Sequence, residues 1–178
     1  MAHQIDIPEA SVYVGTYRKY NSGSLFGKWL HLSDYANKEA FYAACKKLHI
    51  DEEDPEFMFQ DYENVPEGLI SESWISDNLF EVLATIAGMD DDEVAPFLIW
   101  CANGHHNLSG DDIDDLISSF KEDYIGEYDS EEDFARTLVE ERDDLSEFAK
   151  QYFDYAAYAN DLFCGTYWSQ DGYIFCNS

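Results

Sequence analysis

The sequence predicts an α+β fold in three small parts: a small antiparallel sheet with a helix, a helical bundle, and helices with a second small antiparallel sheet. Three observations predict it. Runs of β-branched and aromatic residues, separated by turn residues, stand near both ends of the chain. Apolar residues at helical spacing occupy most of the middle. Turn and capping signals between them set expected domain boundaries at residues 1–66, 67–108 and 109–178. With 178 residues, including 13 Tyr, 12 Phe and 4 Trp, the chain has the apolar material for a packed core.

Val12, Tyr13, Val14, Gly15, Thr16 and Tyr17 read as a strand. Residues 20–24, where Asn21 and Gly23 tolerate positive φ, read as a turn. Residues 25–32 then form a second strand in a hairpin-like pair. Residues 37–48 follow as a helix with Phe41, Ala44, Cys45 and Leu48 on one face, and residues 57–62 as a third strand. Asn64, Pro66 and Gly68 mark a turn. From about Ser71 the pattern becomes helical, with Ser76 or Asp77 capping a helix through Phe80, Leu83, Ala84 and Ala87 that Gly88 stops. Residues 90–93 open another helix, with Val94, Phe97, Leu98 and Cys101 apolar, ending near Asn103 and Gly104. A short helix covers residues 111–117. Ser130, with Asp133 three positions on, resembles a capping pair for a helix through Val139. Leu145, Phe148, Tyr152, Tyr155 and Ala159 make the apolar stripe of one long final helix. The chain closes on a hairpin, residues 163–168 and 173–176, turning at Asp171 and Gly172.

Charge is the dominant feature. The chain has 38 acidic and 10 basic side chains, a formal net charge of -28. Residues 1–47 hold six Lys or Arg against four acids, whereas residues 48–178 hold four against thirty-four. A body so charged repels itself, so the field must have a use. It repels nucleic acid and anionic membrane, which points to a basic partner. Candidate carboxylates begin with Asp90, Asp91, Asp92 and Glu93. They continue through Asp111, Asp112, Asp114, Asp115, Glu122, Asp123, Glu127, Glu131, Glu132, Asp133, Glu140, Glu141, Asp143 and Asp144. Several share helix faces at spacings of three or four, where like charges cost a few tenths of a kcal/mol each. Duplex DNA carries one charge per ~1.7 Å, so -28 corresponds to about 48 Å of duplex, or about 14 base pairs.

Other chemistries fit less well. Asp129, Glu131, Asp133 and Glu140 occupy positions one, three, five and twelve of a calcium loop, but Phe134 stands where the sharp turn demands Gly. Cys45 with His49, and Cys101 with His105, could each be half of a zinc site. No four-ligand pattern completes either, and buried thiols with surface histidines are the plainer reading. There is no G-x-S-x-G, no phosphate-binding Gly loop and no nucleophile constellation. The expectation is no catalysis, no metal and no cofactor. Cys45, Cys101, Cys164 and Cys176, without close pairing, read as reduced thiols. With no signal-peptide pattern and no apolar run of about 20 residues, they suggest a cytoplasmic chain. The aromatic residues of the last helix are candidates for self-association.

Two windows resemble the ArdA antirestriction family. One is Val12-Tyr13-Val14-Gly15-Thr16-Tyr17-Arg18-Lys19-Tyr20-Asn21-Ser22-Gly23-Ser24-Leu25-Phe26-Gly27-Lys28-Trp29-Leu30. The other is Tyr152-Phe153-Asp154-Tyr155-Ala156-Ala157-Tyr158-Ala159-Asn160-Asp161-Leu162, continued by Gly165 and the hairpin around Asp171-Gly172. Gln60-Asp61-Tyr62-Glu63 is a shorter match. The resemblance implies an elongated three-domain homodimer, carried on mobile genetic elements, that mimics bent B-form DNA. It further implies binding to the methyltransferase core of type I restriction-modification enzymes. The family's dimer contact and antirestriction motif map here onto Asp144, Leu145, Phe148, Ala149, Tyr152 and Phe153. Members often carry a Val-Pro step where this chain has Leu145-Ser146-Glu147. The rival expectation is an acidic binding module for another basic protein, such as a histone-like factor.

Overall fold

A computed structural model describes residues 4–103 and 106–177 and shows an α+β protein with small antiparallel sheets. The chain forms two compact units, one ending at Leu116 and the other beginning at Ile117. Among the described residues no helix is long and apolar enough to cross a membrane.

In the first unit, β1 (Ser11–Thr16) lies between β2 (Lys28–His31) and β3 (Phe57–Glu63), both antiparallel to it. Alternation places Val12, Val14, Leu30 and Phe59 on the buried face. Against it packs α2 (Lys38–Leu48), started by Asn37, whose side chain accepts from the Ala40 N–H at 2.9 Å. Its Phe41 is fully buried, 6.0 Å from the Phe59 ring. The β1–β3 register slips between Tyr13 and Val14, leaving Gln60 as the extra residue of a bulge. Gly15 accommodates the Gln60 amide in the space a Cβ would fill.

The expected second strand is shorter than residues 25–32. Immediately after β1 the chain enters α1 (Tyr17–Asn21), because the Thr16 hydroxyl accepts from the Lys19 N–H and caps it. Pairing with β1 begins only at Lys28, opposite Val14, and residues 25–27 belong to the loop that leads into β2.

Helix does not start near Ser71 either. A two-residue hairpin intervenes, β4 (Ile70–Ser71) with β5 (Trp74–Ile75), and α3 (Leu79–Ala87) begins only after Asn78. Ser76 is buried and its hydroxyl bonds the Asn78 side chain, while Asp77 pairs with Lys38 at 2.5 Å, so neither caps the helix. Gly88 ends α3 as expected. Next comes α4 (Asp91–Ala102), which buries Phe97, Trp100 and Cys101. Gly104, expected near its end with Asn103, lies outside the described residues.

The second unit contains most of α5 (Ile113–Asp123), which runs well past the expected residue 117. It leads into β6 (Tyr124–Glu127), a strand the sequence did not announce, then α6 (Glu131–Glu140). Ser130 caps α6 as predicted, accepting from the Asp133 N–H at 3.0 Å. The long final helix is in fact two: α7 (Glu147–Gln151) and α8 (Tyr155–Phe163). Ser146 caps the first and Asp154 the second. The Tyr155 hydroxyl donates back to the Lys150 carbonyl at 2.6 Å and fixes the break. The strands β7 (Tyr167–Gln170) and β8 (Tyr173–Cys176) form a hairpin at the expected turn, with Asp171 at φ 53° and Gly172 at φ 88°, but the first strand starts at Tyr167 and not at residue 163, because Phe163 ends α8. The sheet order is β6-β8-β7. Phe134 anchors α6 among Tyr128, Phe163 and Tyr167, with ring centroids 5.1, 5.9 and 5.0 Å away.

Candidate partner-binding surface

The local fold sets the carboxylates outward. Asp90, Asp91, Asp92 and Glu93 form the N-terminal turn of α4, where the helix dipole favours anions. Asp112 accepts from the N–H groups of Asp114 and Asp115 at 3.0 and 3.1 Å and so starts α5. Asp111 accepts from the Asn107 N–H at 2.8 Å. Glu131, Glu132 and Asp133 occupy the first turn of α6. These are comfortable places for acids.

Others are not. Glu122 and Asp123 end α5, while Glu140 ends α6 and Glu141 follows as its C-cap. There the dipole opposes negative charge, at a cost of some 0.3–1 kcal/mol each. Stability does not explain their placement. Of the predicted carboxylate residues, only Glu93 and Asp123 are half-buried, and the rest are exposed.

Three of the four cations of the second unit, Arg136, Arg142 and Lys150, are engaged by groups of their own chain. Arg142 forms a two-bond pair with Asp144, Nε to Oδ1 at 2.8 Å and Nη2 to Oδ2 at 2.5 Å. The hydrogen bonds hold the Asp144 carboxyl below its ordinary range and push the Arg142 guanidinium up. Arg136 lies over the Tyr155 ring, 4.1 Å from its centroid, and approaches Glu132 at 3.5 Å. Lys150 donates to the Glu140 carbonyl at 3.1 Å. Internal partners also engage Glu131, which accepts from the Ser169 hydroxyl at 2.6 Å. An open crevice brings Glu127 and Asp133 together with Asp129, Tyr128 and Thr137. The sequence gives each of these acids but not their convergence, which depends on β6.

The calcium-loop reading fails on the helix: α6 begins at Glu131, and Phe134 is 2% exposed in the core. The zinc half-site at Cys45 and His49 is likewise corrected. His49 is not a surface residue; it is fully buried. Its Nε2 bonds the Val14 carbonyl at 3.1 Å, leaving Nδ1 to accept from Lys19 at 2.9 Å, so neither nitrogen is open to a metal. Burial pushes the Cys45 thiol up to about 12, and Cys101 similarly, with help from Asp111. His105 of the second pair lies outside the described residues.

The predicted self-association residues split into two groups. Phe148 and Tyr152 are 73% and 76% exposed, with rings 5.0 Å apart. Leu145 and Ala149 are half-buried beside them. Phe153 turns instead toward Tyr155 and Tyr158, at 5.2 and 5.6 Å. Because the helix breaks, the expected single stripe does not exist: Tyr155 and Ala159 are core residues.

A family model described as "Antirestriction protein (ArdA)" matches residues 12–175, nearly the whole chain. No curated protein matches it. The match takes in both windows quoted above, the intervening Gln60-Asp61-Tyr62-Glu63, and every candidate carboxylate. The chain belongs to the ArdA family of antirestriction proteins.

Proposed function

We propose that this protein inhibits restriction by standing in for DNA. Its exposed carboxylates meet the Lys and Arg side chains that line the DNA groove of a type I restriction-modification enzyme, on the methyltransferase core. It acts in the cytoplasm as a non-enzymatic inhibitor, needs no cofactor and binds no nucleic acid itself. The observation that carries this reading is the treatment of charge in the second unit. Arg136, Arg142 and Lys150 are spent on their own chain, while Glu122, Glu140 and Glu141 are exposed at helix ends that disfavour them. Such an arrangement costs stability and strengthens an outward negative field.

The same reading assigns residues 1–66, 67–108 and 109–178 to three domains and pairs two copies through Phe148 and Tyr152, with Leu145 and Ala149 behind them. Phe153 supports that face from the α8 side. In a reconstituted assay, a type I enzyme should stop cleaving unmodified DNA once stoichiometric protein is added at low salt. Undiminished cleavage in excess protein would refute the proposal.

A further inference from the structure

Helix α7 carries the Phe148–Tyr152 ring pair, yet it has no core of its own to fix where it points. It is five residues long and none of them is buried. A helix so short is not stable by itself, so its orientation comes from what it is tied to. The ties converge on Lys150, which is held at both ends. Its carbonyl accepts from the Tyr155 hydroxyl at 2.6 Å, and its ammonium donates to the Glu140 carbonyl at 3.1 Å. The Lys150 side chain is only 15% exposed, so water competes little for that ammonium. Glu147, 3.8 Å away and itself 95% exposed, adds little.

Tyr155 is fixed in turn: it is buried, and Arg136 lies over its ring, 4.1 Å from the centroid. Arg136 and Glu140 stand one turn apart on α6. The contacts therefore close a ring, from Arg136 to Tyr155, from Tyr155 to Lys150, and from Lys150 back to Glu140. The chemistry of the last link is informative. On a surface that mimics DNA a lysine subtracts from the field, and this one is spent on a neutral carbonyl at the end of α6, where the helix dipole favours a cation.

We propose that Lys150 is a positioning residue: through this ring it locks α7 to α6, so the exposed ring pair and the carboxylates of Glu132, Glu140 and Glu141 move as one body. When two copies pair through Phe148 and Tyr152, the lock fixes the spacing between their acidic surfaces. This rests on the reading that two copies pair through that face and that the pair stands in for DNA. With the spacing fixed, both copies engage one target, and the second contact forms at high effective concentration. Without the lock, pairing survives and alignment is lost.

The test places a spin label on Cys164 of the full-length protein. Cys164 is exposed, whereas Cys45 and Cys101 are buried, and a Cys176→Ser background removes the half-buried thiol. Cys164 follows α8, which packs on α6 through the Phe163 and Phe134 rings, so the label reports on the body that carries α6. Pulsed electron resonance measures the distance between the labels of two copies, sedimentation the dimer content, and calorimetry the affinity for a purified type I methyltransferase core. The otherwise wild-type protein and Lys150→Arg, which can still reach the Glu140 carbonyl, should each give one narrow distance distribution. Lys150→Met should remain a dimer, give a broad distribution and bind the core about tenfold more weakly, although losing a cation would tighten binding by charge alone. Tyr155→Phe, which removes a hydroxyl and no charge, should broaden the distribution in the same way and replaces Lys150→Met if circular dichroism shows that variant unfolded. A narrow distribution in these variants, or binding as tight as wild type, overturns the proposal. So does loss of the dimer, which would make Lys150 part of the contact itself. The readings fail separately. Narrow distances throughout, with DNA displaced by the wild type, remove only the lock. Broadening in the variants, with no DNA displaced by the wild type, removes only the mimicry. A wild type that sediments as monomer removes the pairing and the lock together.

Discussion

Arg142 grips Asp144 through two hydrogen bonds, 2.8 and 2.5 Å long, although both side chains are exposed. A pair so exposed adds little to stability. On the proposed reading, its larger effect is to neutralise a cation on the acidic surface of the second unit. Asp144→Asn is therefore expected to weaken inhibition more than Asp143→Asn, although each removes one negative charge, because only the first releases Arg142. Binding measured against the methyltransferase core checks this, and equal effects would show that the pair is irrelevant.

Charge removal elsewhere should act gradually. Asp115→Asn, Glu122→Gln and Glu141→Gln, combined stepwise, should each lower affinity by a factor of about two to five, as expected for single charge contacts on a surface. Titration of the series reads this directly. A collapse at one step would mark a localised site in place of a distributed field.

The aromatic pair on α7 gives a prediction about assembly. Phe148→Ser with Tyr152→Ser should shift the protein toward monomer in sedimentation while its circular dichroism spectrum stays unchanged, since neither ring is buried within its own chain. An unchanged dimer would place the contact elsewhere.

Stability of the first unit depends on a different cluster. Glu52 is buried, accepts from the Thr16 hydroxyl at 2.6 Å and pairs with Lys19, which also reaches His49. Removing the carboxylate leaves donors short of partners, so Glu52→Ala should cost about 1–3 kcal/mol in chemical denaturation. The Thr16 bond, followed by Lys19, holds the Glu52 carboxyl below its ordinary value of 4.5. A depressed value in the folded state adds stability that is fully present above 4.5 and is lost as the pH falls through the folded-state value. The stability gap between wild type and Glu52→Gln should therefore be constant above about pH 5.5 and shrink in acid. Comparing the two proteins cancels the general relief of self-repulsion that acid brings to so acidic a chain. A gap that widens in acid would contradict the assignment.

The legible parts of this fold were those with a local cause. Asn37, Ser130 and the Asp171-Gly172 turn each act on neighbours a few residues away, and each does what its chemistry suggests. The break after α7 was hidden because Tyr152, Tyr155 and Ala159 keep helical spacing. Asp154 interrupts them, yet an Asp within a helix reads the same as an Asp that caps one until the Tyr155 hydroxyl turns back. β6 was missed because Tyr124, Ile125, Gly126 and Glu127 form a short, Gly-interrupted run whose strand character comes from pairing with β8. The acidic surface was readable as composition. Which carboxylates are engaged internally, such as Glu131 with Ser169, follows from contacts far apart in sequence.

The most direct measurement is equilibrium displacement of a labelled duplex from a type I methyltransferase core at two salt concentrations. The account predicts that stoichiometric protein releases the duplex at about 50 mM salt, and that release is lost, by about tenfold or more in affinity, as salt rises beyond 200 mM. A ternary complex at low salt, with the duplex still bound beside the protein, would contradict it.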